Sequence, residues 1–542
     1  MRLKTGSLVF LGVFAVYVYT VYPTIAPRDS ADLAAAALTA SPAHPPGYPL
    51  YALLGKVWLD LIPWGDPAYR LNLMSAAAGA GCATAVFLLL ARCCGFLPAL
   101  AAASALAFSA PLWKFSLLCE MYSLQGLFLA LLLLLAPGPE QKKGFPGRRW
   151  AMSAFLLGLA LVNHQVFVLA VPGLAVLWWG ELSAEPSRRA LLRVGLPLFL
   201  LGLAPYVFLW VRLGDLGRAW AVFTRREYGT WQLSAGLSRS LSLDLALRLL
   251  GYFFAELWRR TSPVVVGLAV MGVVELWRRS RRCAVGLLLI FLGFGPVFFL
   301  ATRFDLSGWV ARTVMESALV APVVMLCLCA GFGVAWAYRR HERVGLLLAV
   351  GAVVGSLWQN GDMASHRDDF SAYDYARDLR RCLPPGSTTV VGGDTALYAS
   401  RYLDLAHPDG QGRRLIGFQD ASQGARPGYV LGLSLQNLAR MGLGPERLSP
   451  AGLVQAVAPS GSGERLSFED GAPLRAAWEF SVLRQGHALR REESYARDIL
   501  LSYAFAHYLS GTLRQARRDP GGQRDYVMAA ALDPEDYKID YR

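Results

Sequence analysis

Apolar runs dominate this sequence, and several are as long as the ~20 residues that an α-helix needs to cross a bilayer. Apolar residues make up 54% of the 542 residues and charged residues only 17%. An ordinary soluble domain has about 25% charged residues. The sequence therefore predicts a polytopic α-helical membrane protein.

We place about eleven transmembrane helices along the chain. Their approximate ranges are 6–24, 73–91, 95–110, 120–136, 150–163, 165–180, 194–211, 261–277, 284–301, 313–334 and 344–358. Arg2 and Lys4 precede the first run as in a signal sequence. No small-residue cleavage site follows, so we expect this helix to be retained.

The positive charge is clustered between the apolar runs, which is typical of cytoplasmic loops. The formal net charge is +14, but no nucleic-acid-binding motif accompanies it, so we expect no nucleic acid partner. An N-terminus inside puts the main basic clusters in the cytoplasm: Arg2/Lys4, Lys142 to Arg149, Arg188 to Arg193, Arg278 to Arg282 and Arg339 to Arg343. Residues 25–72 and those after about 359 then lie on the outer face.

Two segments test this topology. The stretch 49–63 is apolar but only about 15 residues long, so we place it along the membrane interface as a one-sided helix. The loop at 212–260 is rich in arginine although it is predicted outside. Long loops obey the charge rule less strictly, and these cations are also suited to bind an anion.

After residue 358 the hydropathy falls, and we expect a soluble α/β-to-α domain over 359–542 on the outer face. "STTVVGGD" is typical of a buried strand and "TALYASRYLDL" of a helix after it. The segment from Asp498 to Tyr537 is typical of two helices around a Pro-Gly-Gly turn. One such hairpin does not establish a repeat array.

The first outer loop, 25–72, is unusually polar. Asp29 and Asp32 open an alanine-rich segment, where acids favour a helix N-terminus as cap and first-turn residues. The same carboxylates are suited to take a proton from an incoming hydroxyl. His44 and Tyr48 lie in "SPAHPPGYP", which is either a rigid connection between helices or a site for a sugar or phosphate. Gly47 permits a turn in this segment.

Further polar residues fall at the predicted outer ends of spans. Glu120 lies at the hydrocarbon edge, where an ionisable group is a functional hypothesis, whereas aromatic residues there are often only belt residues. Arginine and lysine are suited to hold a phosphate. The candidates for substrate binding besides His44 and Tyr48 are Lys114, Glu120, Tyr122, Asn163, His164, Arg225, Arg226, Tyr228 and Arg303. No metal site is predicted, because a lone histidine is not a ligand set.

"DSADLAAAALTASPAHPPGYPLYALLGKVWLDLIPWGDPAYRLNLMSA" resembles the N-terminal signature of the transmembrane protein 260 family of protein O-mannosyltransferases. The likeness continues through "CEMYSL", "GLALVNHQ" and "REYGTWQL". The chain departs from the family pattern D-S-G-E at Ala31 and Asp32. The shorter side chain of Asp32 reaches less far, which favours Asp29 as the base.

The resemblance implies a GT-C-like fold and an inverting glycosyltransferase with a polyprenyl-phosphate sugar donor, mannose in this family. The acceptor would be a serine or threonine hydroxyl of a translocated protein, or else a glycan or lipid. Asp29 would be the general base and Asp32 its support, or the two roles would be exchanged, and no cofactor would be required. The Gly/Ala/Arg-rich composition favours a bacterial inner-membrane protein with a periplasmic active site.

A transporter or flippase of lipid-linked sugars is the alternative. Transporters usually place their charged groups near the bilayer midplane, in repeated halves. Here the informative groups gather at one face and no repeat is visible. The predicted division is therefore a catalytic membrane domain over 1–358 and an outer-face domain over 359–542.

Overall fold

The computed structural model describes residues 2–27, 29–138, 147–182, 189, 191–226, 229, 240–421, 427–433, 435–444, 447–458, 494–516 and 518–532. The chain divides into two compact units. The membrane unit comprises Met1–Tyr22, Thr39–Gly65 and Tyr69–Arg367. The C-terminal unit comprises Pro23–Leu38, Asp66–Ala68 and Asp368–Arg542.

Helices make up almost all of the regular secondary structure described in the membrane unit. Its α-helices are Arg2–Thr20, Pro49–Leu61, Pro67–Cys93, Phe96–Ala107, Ala110–Phe115, Tyr122–Leu135, Gly147–Asn163, Val171–Leu182, Leu196–Leu203, Val207–Leu213, Leu216–Phe223, Leu243–Arg260, Pro263–Arg279, Arg281–Leu292, Phe298–Thr302, Trp309–Ser317, Val320–Arg340 and Glu342–Asn360. Short 3₁₀ or π segments join some of them, at Gln165–Ala170, Leu191–Gly195, Ala204–Tyr206, Gly293–Val297 and Gly361–Asp368.

A helix occupies each of the ranges predicted to span the membrane. Within the described residues, the helical stretches long and apolar enough to cross a bilayer are Pro67–Cys93, Arg193–Leu213, Arg281–Thr302 and Val320–Arg340. The pair Leu243–Arg260 and Pro263–Arg279 passes the same test jointly, although it is bent by 111°. Other apolar helices, such as Tyr122–Leu135, are shorter. The polytopic helical fold is confirmed, while the count of about eleven spans stays a prediction.

The helix Pro49–Leu61 covers the segment predicted to lie along the membrane interface, and that position stays a prediction. Leu50 and Tyr51 are buried, whereas Val57 and Leu61 are exposed. Exposed apolar side chains on so short a helix are typical of a helix that lies in a membrane interface.

The arginine-rich loop at 212–260 is partly neutralised by its own acids. Arg248 lies 2.9 Å from Asp244, and Arg259 lies 3.1 Å from Glu256, each pair on one face of the helix Leu243–Arg260. Pairs three or four residues apart on a helix are neighbours. These acids account for part of the charge that the positive-inside rule left unexplained.

The C-terminal unit is built on a five-stranded sheet of order β2-β1-β3-β5-β4. The strands are β1 (Thr388–Val391), β2 (Arg414–Gly417), β3 (Tyr429–Leu431), β4 (Leu448–Ala451) and β5 (Val454–Val457). Strand β1 pairs in parallel with β2 and β3, and β5 pairs antiparallel with β3 and β4. The strand predicted in "STTVVGGD" is therefore an interior strand that pairs on both sides. Its residues are mostly buried, as its apolar run indicates.

The C-terminal unit also contains the helices Asp29–Thr39, Ser371–Cys382, Asp394–Ala406, Phe418–Ala421, Leu435–Arg440, Ser494–Ala516 and Gly521–Leu532. The last two are the hairpin predicted around the Pro-Gly-Gly turn. Tyr503 donates a hydrogen bond to Asp378 at 2.8 Å, and Thr395 donates to Asp498 at 2.9 Å. The hairpin is therefore fixed to the helices beside the sheet.

The boundary between the units differs from the division predicted at 358. The C-terminal unit begins at Asp368 and includes two pieces of the first outer loop. Tyr402 donates to Asp66 at 2.9 Å and accepts from the Ala68 N–H at 3.0 Å. Polar contacts between residues far apart in sequence hold these pieces in the C-terminal unit, and hydropathy carries no signal for them.

Candidate functional site

The predicted catalytic acids lie in the first turn of the helix Asp29–Thr39, in the C-terminal unit. Asp29 begins this helix and is half-buried. Asp32 is only 2% exposed, and its Oδ1 lies 3.9 Å from Nη1 of Arg401. Both carboxylates are at the positive end of the helix dipole, as predicted. The structure thus gives Asp32 a cationic neighbour and leaves Asp29 more accessible.

The segment from Ala43 to Pro49 forms a tight turn in the membrane unit. The Gly47 N–H donates to the His44 carbonyl at 2.8 Å, and the Ala43 N–H donates to the Gly47 carbonyl at 3.1 Å. The φ of Gly47 is 89°, and a Cβ there would lie 2.7 Å from Cδ2 of Leu209. Only glycine satisfies both requirements, as the sequence indicated.

The turn presents His44 and Tyr48 to two other predicted residues. Tyr48, 4% exposed, has its ring centre 5.1 Å from that of His44 and 6.1 Å from that of His164. The Tyr122 ring centre lies 5.6 Å from that of His164. We call these residues, His44, Tyr48, Tyr122 and His164, the His–Tyr cluster. Four residues from three separate motifs therefore meet in one place.

His164 is electrically neutral at physiological pH. Burial, followed by the nearby charges of Arg225 and His44, lowers the pKa of His164 to about 3. An uncharged imidazole offers both a donor and an acceptor to a bound hydroxyl group. The His–Tyr cluster thus combines imidazole nitrogens and tyrosine hydroxyls with the faces of aromatic rings.

Asn163 holds the chain next to the His–Tyr cluster through a buried hydrogen bond. It is fully buried, and its Nδ2 donates to the Met121 carbonyl at 3.1 Å. This bond fixes the chain between Glu120 and Tyr122. Glu120 is 3% exposed, and its backbone carbonyl accepts a hydrogen bond from Ser75 at 3.4 Å.

Lys114 belongs to a second polar group, the ion cluster of Lys114, Glu256, Arg260 and Glu316. Lys114 Nζ lies 2.8 Å from Oε2 of Glu316, and both side chains are nearly buried. Arg260 pairs with the other oxygen of Glu316 and lies 2.9 Å from Glu256. Two cations thus share the carboxylate of Glu316, and the two acids of the cluster balance its two bases in a poorly hydrated place.

The remaining predicted cations are more loosely arranged. Arg225 is partly buried and close enough to His164 to affect its pKa. Arg226 and Arg303 are exposed. Arg303 has φ 53°, an uncommon conformation for arginine, at the end of the helix Phe298–Thr302. Tyr228 lies outside the described residues.

Sequence reasoning missed the partners of these residues. Glu316 is 202 positions from Lys114, so no local spacing connects them. Glu256 and Arg260 did carry a signal, since an acid and a base four apart on a helix form a pair. Arg401 lies in a segment predicted only as a helix. Within the described residues no group of three or more potential metal-ligating side chains occurs.

Comparison with known proteins relates this chain to a domain family and to proteins of two organisms. Residues 29–185 match the family model of the protein O-mannosyl-transferase TMEM260 N-terminal domain. Protein O-mannosyl-transferase TMEM260 of Mus musculus is 29% identical over 434 residues, which are 74% of this chain and 60% of the mouse protein. The Dictyostelium discoideum protein of that name is 24% identical over 458 residues, 73% of this chain and 55% of the relative. The chain thus spans little more than half the length of these relatives.

Two solved structures share the fold. The crystal structure of ArnT from Cupriavidus metallidurans bound to undecaprenyl phosphate superposes with TM-score 0.53 at 15% identity, covering 85% of this chain and 98% of ArnT. The apo form gives TM-score 0.55 at 14% identity, covering 83% and 96%. The GT-C-like fold of an integral membrane protein is thereby confirmed. Residues 29–185 are thus similar to the TMEM260 N-terminal domain, and most of the chain is similar to TMEM260 protein O-mannosyl-transferases of two organisms.

Proposed function

We propose that this protein is a membrane glycosyltransferase that moves a sugar, mannose, from a polyprenyl-phosphate donor to a serine or threonine hydroxyl of a translocated protein. The observation that carries the proposal is the match of residues 29–185 to the TMEM260 domain. That range contains both first-loop acids, the His–Tyr cluster and Lys114. The fold likeness to ArnT, whose structure was solved with undecaprenyl phosphate, supports a lipid-linked donor.

In the proposed reaction the acceptor oxygen attacks the anomeric carbon of the sugar. The bond from that carbon to the phosphate oxygen breaks, and the polyprenyl phosphate leaves from the opposite face, with inversion. The acceptor proton passes to Asp29, which is half-buried at a helix N-terminus. Asp32, beside Arg401, holds the helix that carries Asp29. A phosphate leaving group is already activated, so the proposal requires no metal or other cofactor.

Separate groups in the membrane unit are proposed to bind the donor. Lys114 supplies the charge that stabilises the departing phosphate, because it is held by Glu316 in a place poor in water. Arg225 and Arg303 are further candidates. The His–Tyr cluster suits a sugar, since its rings pack against the apolar face of a pyranose while polar edges bond hydroxyls. The aromatic rings of Tyr48 and Tyr122 flank His164 for this purpose.

The basic clusters support an orientation with the acids on the outer face. In a bacterium this is the periplasmic side of the inner membrane, where translocated proteins and lipid-linked sugars are both present. We assign recognition of the acceptor to the C-terminal unit, whose sheet and helices carry none of the proposed donor-binding residues.

The test compares Asp29→Asn with wild-type protein, using purified full-length chain in detergent with radiolabelled polyprenyl-phosphate mannose and a serine/threonine peptide. We expect transfer to fall by about 10²–10⁴-fold, the range for loss of a general base, while donor binding is kept. Asp60→Asn is the matched control, because Asp60 is exposed and pairs with Lys56. Full activity in Asp29→Asn would remove Asp29 from this role, and absence of transfer by wild type with all sugars tried would contradict the function itself.

A further inference from the structure

An apolar groove lies between three helices of the membrane unit, away from the residues proposed to act on substrate. The groove has a volume of about 180 Å³, larger than the roughly 150 Å³ apolar cavity that holds a benzene molecule. Its walls come from Pro263–Arg279, Arg281–Leu292 and Val320–Arg340, and its lining is almost wholly hydrocarbon. Such a space favours an alkyl chain over water.

The groove is open to the surroundings of the protein. Val270 on its rim is 63% exposed, and Leu288 opposite is also exposed. Phe291 and Met325 form part of its lining. A membrane lipid therefore has direct lateral access to it, without passing through the helical bundle.

The same three helices carry arginine at one shared end. Six arginines lie there, against one acid of these helices, Glu275: Arg278, Arg279, Arg281, Arg282, Arg339 and Arg340. Glu181 of the helix Val171–Leu182 is a second acid nearby, 3.7 Å from Arg282. Arg279 and Arg339 both pair with Glu275, at 2.8 and 2.7 Å. This end of the groove thus has a large excess of positive charge.

Three of these arginines form no ion pair with a carboxylate of the described residues. Arg281 lies over the Trp277 ring at 5.9 Å, and Arg340 lies over the Trp336 ring at 4.7 Å. Arg278 is exposed. Tryptophan is enriched at the level of lipid headgroups, so these side chains are at the depth where a phosphate lies.

The spacing along the helices joins the two features. Leu276 and Ala284, at one end of the groove, lie within one turn of Arg278 and Arg282. Val270, toward the other end, is about 12 Å further along the helix axis than Arg278, at 1.5 Å per residue. The groove therefore begins at the arginines and runs toward the middle of the bilayer.

We propose that this groove and its arginine end form a binding site for one anionic phospholipid, with an acyl chain in the groove and the headgroup phosphate on Arg278, Arg281 and Arg340. The positive-inside rule puts this end in the cytoplasmic leaflet, where basic pockets between transmembrane helices bind anionic headgroups. The proposal does not depend on the transfer reaction.

Lipid retention tests the site. Purified full-length protein is equilibrated with equal amounts of phosphatidylglycerol and phosphatidylcholine with identical acyl chains, and the lipids that stay bound are counted by native mass spectrometry. We expect wild type to retain phosphatidylglycerol preferentially. The variant Arg278→Gln/Arg281→Gln/Arg340→Gln should lose at least about tenfold of that preference, given the contribution of each arginine near a charged lipid surface. The exposed arginines in Arg148→Gln/Arg189→Gln/Arg193→Gln provide a control with the same change of charge.

A second pair of variants tests the groove itself. Val273→Trp fills it, whereas Val274→Trp places the same ring on the neighbouring exposed position that does not line it. We expect only Val273→Trp to reduce the retained phosphatidylglycerol. Equal retention of both lipids by wild type, or unchanged retention in both the triple arginine variant and Val273→Trp, would overturn the proposal. Displacement of phosphatidylglycerol by added undecaprenyl phosphate in a manner that Val273→Trp abolishes would assign the groove to the donor and overturn it equally.

Discussion

At the scale of single residues, the candidate site depends on one uncharged histidine and on one buried ion pair. His164 is uncharged because of burial and the charges of Arg225 and His44. Lys114 stays close to Glu316 in a place with little water. Each of these states has a measurable consequence.

The first concerns pH. The pKa of His164 is about 3 in the folded protein and near 6.5 in an unfolded chain. Between these values the unfolded state binds a proton that the folded state does not, so stability is complete above pH 6.5 and falls as the pH decreases toward 3. We expect the melting temperature in detergent to fall less between pH 7.5 and pH 5 in His164→Asn than in wild type.

His341→Asn, at an exposed histidine, is the control and should show the same fall in melting temperature as wild type. An equal fall in all three proteins would contradict the assignment of the pH effect to His164.

The second concerns the ion cluster. Glu316→Gln leaves Lys114 and Arg260 close together without the carboxylate they share. Breaking a buried pair in this way costs about 3–5 kcal/mol of the free energy of unfolding. Asp244→Asn breaks the exposed pair with Arg248 instead, which should cost less than about 1 kcal/mol. Denaturant unfolding in detergent measures both, and similar losses in the two variants would show that the cluster is not stabilising.

Residue-level prediction succeeded where a motif is short and failed where partners are remote. The turn at Gly47 is encoded by its own neighbours, so the sequence predicts it. The approach of His164 to Tyr48 joins segments more than 100 positions apart, and here their shared position at predicted outer ends was the only guide. The pairing of Lys114 with Glu316 had no such guide, because many acids and bases are available in a chain of this length.

At the scale of secondary structure, helix–helix packing in the membrane unit depends on small residues. Gly272 and Gly333 lie where Pro263–Arg279 crosses Val320–Arg340. A Cβ on Gly272 would lie 1.8 Å from the Cys329 carbonyl oxygen, and one on Gly333 would lie 2.0 Å from that of Leu268. Small residues let transmembrane backbones approach this closely.

Gly272→Ala should therefore force the two helices apart. We expect it to lower the free energy of unfolding by about 1–3 kcal/mol, the usual cost of overpacking, despite the better helix propensity of alanine. Gly267→Ala, on the same helix with open space around it, should be neutral or slightly stabilising. The melting temperatures of the two variants decide the point, and equal values would mean that the crossing tolerates a methyl group.

Apolar periodicity predicted the helices well but not how they break. The predicted span at 194–211 is divided by the 3₁₀ segment Ala204–Tyr206, which contains Pro205. The π segment Gly293–Val297 contains Pro296. Proline removes a backbone donor and disturbs the helix, so these positions were recognisable. The 111° bend before Pro263 lies beside the Ser262 cap and the ion pairs of Arg260, and hydropathy carries no signal for these contacts.

At the scale of the whole molecule, the first outer loop is shared between the two units. Its helix Asp29–Thr39 belongs mainly to the C-terminal unit, while the turn at Gly47 belongs to the membrane unit. Hydropathy predicted both kinds of unit but not this exchange of segments. Short polar contacts such as Asp32 to Arg401 decide it.

This exchange predicts an effect of a remote residue on the reaction. Arg401→Gln removes the cation beside Asp32, so the helix that carries Asp29 loses part of its fixation. We expect the rate of the proposed mannose transfer to fall by about tenfold, equivalent to about 1.4 kcal/mol. The melting temperature should change little, because Arg401 is half-exposed. Arg414→Gln, an exposed arginine on β2, should transfer at the wild-type rate. Wild-type activity in Arg401→Gln would separate Asp32 from the reaction.

The contacts of Tyr402 with the first outer loop also set an order of events during biosynthesis. A ribosome completes Ala68 long before Tyr402, whose hydroxyl binds the Ala68 N–H across 334 positions of the chain. The loop with Asp29 therefore leaves the ribosome early, and its contacts with Arg401 and Tyr402 form only after most of the polypeptide has been made. Under the proposed function the chain would become active only at the end of synthesis. A nascent or truncated chain would therefore not glycosylate the proteins around it.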